Sequence, residues 1–92
     1  MAQFRISRPH SLSREALRLR ARELARDLER DYGVRANWDD PDRVSIRGSG
    51  VTGSLEIHED RLDVDVHLGL LASAFQKPLR SGIERFLDEH LA

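Results

Sequence analysis

Between Val44 and Leu68 the apolar residues recur on alternate positions, and this alternation constrains the chain more than anything else in it. Val44 and Ile46, then Val51, Leu55 and Ile57, then Leu62, Val64, Val66 and Leu68 are separated by polar residues. A period of two is the mark of antiparallel strands with one dry face and one wet face. The dry face needs a cover, and the remainder of the chain reads as helices that supply it. Ninety-two residues fit one domain and one modest core. The expectation is therefore a single domain over residues 1–92.

Composition closes off several functions. With 39% hydrophobic and 34% charged residues the chain has material for a core, and no apolar run approaches the length of a membrane span. The N-terminus lacks the basic-then-apolar layout of a signal peptide, so a cytoplasmic location is expected. The absence of cysteine excludes disulfides, thiolate catalysis and cysteine-bound zinc. A net charge of −1 argues against a non-specific nucleic-acid binder, which needs a positive excess to displace counterions.

Gln3 to Ser7 alternates and predicts a short strand ending before Pro9, with Phe4 and Ile6 on its dry side. Ser11 and Ser13 are candidate N-caps for a long helix in which Leu17, Ala21, Leu24, Leu28 and Tyr32 trace the buried face, and Gly33 ends it. The same helix carries Arg14, Arg18, Arg22, Arg26 and Arg30, spaced four apart. Like charges at that spacing repel, and acids at i,i+3 are expected to interleave: Glu15 with Arg18, Glu23 with Arg26, Asp27 with Arg30. The row reads as a solvated face, and its sharper reading is a docking surface through Arg14, Arg18, Arg22 and Arg26.

Val34, Ala36 and Trp38 predict the second strand, and Asp39, Asp40, Pro41 and Asp42 a turn. Three acids there fall short of the ligand number and the glycine bend of a calcium loop. A hairpin at Ser49-Gly50 sets Ile46 opposite Gly53 and Val44 opposite Leu55; a second at Glu59-Asp60 sets Ile57 opposite Leu62 and Leu55 opposite Val64. Gly48, Gly50 and Gly53 lie between strands, without the helix and lysine of a phosphate loop. Gly53 is expected to let a helix approach or the sheet bend.

On the wet face this register gathers Glu56, Asp63, Asp65 and His67, with His58 at the turn. They are the chain's best candidates for acid-base chemistry or a divalent metal, yet a flat exposed face offers neither concavity nor desolvation. No enzyme, metal or cofactor is expected.

After Leu68, apolar residues at helical steps predict a short helical segment to about Gln76 and a second from Pro78, or one kinked helix. Leu68 to Phe75 is apolar on more than one side, so Leu70, Leu71 and Phe75 are candidates for contact with a partner or an apolar surface, a second copy of the chain included. An alternative places a ligand between helices and sheet, in a pocket lined by Phe4, Trp38, Leu55, Val64 and Phe86. The whole predicts an α+β domain, β-α-β-β-β-β-α, with a mostly antiparallel sheet and both helices on one face.

Three stretches carry a family likeness. Arg8-Pro9-His10-Ser11-Leu12 with Glu15-Ala16, Gly50-Val51-Thr52-Gly53-Ser54-Leu55, and Leu68-Gly69 with Pro78-Leu79, Ile83 and Leu87-Asp88 together resemble the polyhydroxyalkanoic acid system proteins. The likeness spans essentially the whole chain in order and spacing. It implies a bacterial cytoplasm and a link to carbon-storage granules; together with the apolar stretch around Leu70, Leu71 and Phe75, the expectation is a non-enzymatic accessory protein that binds the granule surface or a granule-bound protein. It supplies no catalytic residues.

Overall fold

The computed structural model describes residues 2–48 and 50–91, and its elements run β1 (Ala2–Pro9), α1 (Arg14–Tyr32), β2 (Arg35–Asp40), β3 (Arg43–Gly48), β4 (Val51–Ile57), β5 (Arg61–Leu68), a 3-10 turn (Ser73–Phe75) and α2 (Gln76–His90). The five strands form one antiparallel sheet in the order β1-β5-β4-β3-β2, with both helices on one face, as expected of an α+β domain.

The alternation sets the register. Ile46 faces Gly53, Val44 faces Leu55, Leu55 faces Val64 and Ile57 faces Leu62, all as the sequence predicts. Ser49, half of the expected hairpin turn, lies outside the described residues; Gly50 takes φ +76°, the left-handed region that glycine enters without steric penalty. β1 finds its place at the edge, antiparallel to β5, with Phe4 opposite Val66 and Ile6 opposite Val64. It runs through Pro9 instead of ending before it. An edge strand tolerates a residue without an amide donor, which is why the proline does not stop it.

α1 starts where Ser13 accepts from the Ala16 amide and ends at Gly33 with φ +67°, whose own amide donates to the Glu29 carbonyl. Leu17, Ala21, Leu24, Ala25 and Leu28 form its buried face, and Leu79, Ile83, Phe86 and Leu87 form that of α2. Pro78 does not divide the helical region. It sits in the first turn of α2, where its missing amide would have had no helical partner, and the helix runs on unbroken. The segment before it is the exposed turn 69–72 and the 3-10 turn, in which only Ala72 is buried.

Two local expectations change. Gly53 answers to the neighbouring strand and not to a helix, since a Cβ there would stand 2.5 Å from the Asp65 carbonyl oxygen. Trp38 is the second. β2 is the other edge of the sheet, so Trp38 keeps 36% of its surface in water and stands outside the core.

Candidate functional site

The sheet's two ends carry opposite chemistry, and each follows from local sequence. At one end lie the β1–α1 connection, the β2–β3 turn and the β4–β5 turn. His10 ties two of them together. The Leu12 amide donates to its Nδ1 at 3.1 Å, which leaves Nε2 as the protonated nitrogen, 3.0 Å from the His58 carbonyl; the His10 amide donates to the Asp60 carbonyl at 3.0 Å. Asp42 ties the third. It accepts from Arg14 at 2.6 Å and from Arg18 at 3.0 Å, while Arg18 Nε also donates to the Pro41 carbonyl.

These bonds redistribute the arginine row. Arg18 pairs with Asp42 across the fold and not with Glu15, Glu23 takes Arg20 and not Arg26, and Asp27 takes Arg30 as the spacing predicts. Arg22 and Arg26 stay exposed without an ion pair among the described residues. The 19 residues of α1 span about 28 Å. Arg14 and Arg18 therefore sit a helix length away from the apolar turn, and one flat contact does not gather the row and Leu71 together.

Beside this end, on the sheet face away from the helices, Asp63 is only 4% exposed although the alternation places it on the wet side. Its neighbours cover it. The Ser7 hydroxyl donates to Oδ1 at 2.6 Å, Arg61 Nε donates at 3.3 Å and Arg5 at 3.4 Å, and His58 Nε2 lies 3.2 Å from Oδ2 but off the line of a hydrogen bond. Burial pushes this carboxyl up, but the bonds from Ser7 and Arg61 and the charges of Arg61 and His58 outweigh it and hold it below the ordinary carboxylate range. Serine, aspartate and histidine meet here in an order unlike a nucleophilic triad, because the carboxylate stands between hydroxyl and imidazole. Glu56 joins this group, its Oε2 3.7 Å from His58 Nε2 while it pairs with Arg43 at 2.9 Å; His67 is exposed and lies 3.6 Å from Asp65. Among the described residues no group of three or more such side chains is placed to hold a metal ion.

The other end is apolar. After β5, Gly69 donates to the Gly50 carbonyl at 2.7 Å, and Ala72 and Phe75 close successive turns on the Gly69 and Ala72 carbonyls. This tight turn buries Ala72 and thrusts its larger neighbours outward. Leu70 is 76% exposed, Leu71 94% and Phe75 54%, more than any other large hydrophobic residue described. The sequence brings these three together correctly, although it assigns them to a helix.

The five residues expected to line an acyl pocket do not share one. Phe4, Leu55, Val64 and Phe86 are packed in the core and Trp38 stands at the edge. The enclosed space between helices and sheet, beneath Leu28 and Ile83, is about 10 Å³. That is barely room for one water.

Fold and surface thus define a small open-faced α+β domain, latched by polar bonds at one end and presenting exposed leucines and a phenylalanine at the other. No helix is long and apolar enough to cross a membrane. Residues 4–91 match the polyhydroxyalkanoic acid system protein family, whose name links it to the polyhydroxyalkanoate system, and the chain belongs to that family. Neither the curated proteins nor the solved structures hold a match to it.

Proposed function

We propose that this protein is a non-enzymatic accessory of polyhydroxyalkanoate metabolism that docks on the granule surface from the cytoplasm through Leu70, Leu71 and Phe75. The observation that carries the reading is the exposure of these three side chains on one turn that is rigidly tied at Gly69 and Ala72. Isolated exposed leucines are ordinary on soluble proteins, but three large apolar groups within six residues make a patch. A polyester surface is water-poor and largely apolar. Moving each side chain from water onto it contributes about 1.5–3 kcal/mol before the entropic cost of association is set against it.

Co-sedimentation with protein-free polyhydroxyalkanoate particles tests this. Wild type is expected in the pellet, with Leu71→Asp and Phe75→Asp in the supernatant and folded by circular dichroism. A wild type that stays in the supernatant would sink direct polymer contact and turn attention to granule-bound proteins, for which Arg22 and Arg26 are among the exposed charges without an ion pair among the described residues. The reading as a carrier with an internal acyl pocket finds no support in an interior this closely packed.

A further inference from the structure

The helices cover the sheet without sealing against each other. Leu28, Tyr32, Leu79 and Ile83 frame a narrow floor whose accessible wall is apolar throughout. From that floor the space widens in two directions, to about 90 Å³ past Gly82 and to about 230 Å³ past Ala72 and Phe75. Tyr32 and Leu79 border all three spaces. One cleft therefore runs from the helix crossing into the docking turn, and Phe75 belongs to both.

Gly82 keeps the crossing open. A Cβ there would stand 4.0 Å from the Tyr32 hydroxyl oxygen, so a larger side chain fits only by occupying the cleft. Polar groups enter in the wider parts of the cleft, where Asp27 and Asp31 accept from Arg30 and the Tyr32 hydroxyl makes no hydrogen bond among the described residues. Burial, and next to it the Asp31 charge, push the Tyr32 hydroxyl up, so it keeps its proton and donates.

Those features select an occupant. Two rim carboxylates sharing one arginine leave a net negative charge, which disfavours a free fatty acid. Apolar walls leave the amides and carbonyls of a peptide unpaired. An alkyl chain attached to a neutral hydrogen-bond acceptor meets neither objection, and an ester is such an acceptor. We propose that the cleft takes the pendant alkyl group of a polyester repeat unit while the Tyr32 hydroxyl donates to the adjoining ester carbonyl, so that the protein discriminates polymers by pendant-chain length. The identity of the polymer rests on the docking reading above; the cleft and its preference for a neutral ester do not.

The test compares polyhydroxyoctanoate particles, with pentyl branches, against polyhydroxybutyrate particles, with methyl branches, for wild type and Gly82→Leu. Leucine is a better helix former than glycine, so the variant is expected to fold. Wild type should bind polyhydroxyoctanoate at least about tenfold more tightly, through burial of the extra methylenes. Gly82→Leu should lose that preference, binding polyhydroxyoctanoate no more tightly than polyhydroxybutyrate. Equal wild-type affinity for the two polymers, or a preference that survives Gly82→Leu, would overturn the proposal. If wild type sediments with neither polymer, the docking reading fails and the cleft is judged by amide shifts on titration with soluble ethyl hydroxyoctanoate. Shifts at Tyr32, Leu79 and Gly82 with the ester but not with hydroxyoctanoate anion support it, and no shifts with the ester overturn it.

Discussion

The two ends of the sheet solve the same problem by different means. Each must finish the strands and reverse the chain. The end around His10 does so with side chains that hydrogen-bond across connections, whereas the end around Gly69 relies on backbone bonds within its own turn, with one local side-chain bond from the Ser73 hydroxyl to the Leu70 carbonyl, and leaves its large apolar side chains unused. Side chains that hold the fold are not free to hold a partner, so under the docking proposal the contrast separates stability from docking along the length of one small domain.

Substitutions should break the two ends differently. The largest loss is expected at Asp63→Asn, which keeps the shape but removes the charge that Ser7, Arg61 and Arg5 address. Hydrogen bonds to a charged group contribute about 1.5–3 kcal/mol, and a urea denaturation series at pH 7 should show a loss of about 2 kcal/mol. Because the folded carboxyl sits below its ordinary value, this stabilisation is present above the unfolded pKa and lost as pH falls through the folded one. Wild type and Asp63→Asn should therefore differ by a constant amount down to about pH 4 and converge below it. A gap that widened on acidification would contradict the sign.

His10→Ala should follow, with about 1–2 kcal/mol lost as the Leu12 amide and His58 carbonyl give up their ring partner. Asp42→Ala comes next, at or below about 1 kcal/mol, since both of its arginine pairs are half exposed. Leu71→Asp should change stability by less than about 0.5 kcal/mol, because a side chain already in water loses nothing on unfolding. Should Leu71→Asp unfold the protein instead, the turn is structural and the separation of the two ends is wrong.

The sequence discloses the side of this comparison that periodicity encodes. Strand register, the capped ends of α1 and the buried face of each helix are all legible, because each is a local pattern that one residue step would spoil. What it hides is long-range. Nothing local brings Ser7 and Arg5 to Asp63, since their meeting depends on β1 docking beside β5, and so a residue that reads as wet is buried. Arg18 likewise has an acid at hand in Glu15 yet reaches a turn 24 residues away. The stretches that carry the family likeness prove to be partly architectural: His10 is a clamp, Gly50 and Gly69 meet through one backbone bond, and Gly53 lies against the β5 backbone. Leu70, Leu71 and Phe75 stand out beforehand because apolar residues outside any amphipathic pattern have no burial to go to.

The pairing of β1 with β5 also has a consequence in time. Phe4 waits for Val66 and His10 for His58, whereas β3, β4 and β5 are joined by short turns and find one another at once. During synthesis the opening strand has no neighbour until β5, at residues 61–68, has emerged. The first residues made are then expected to dock late, with the clamp at His10 closing behind them.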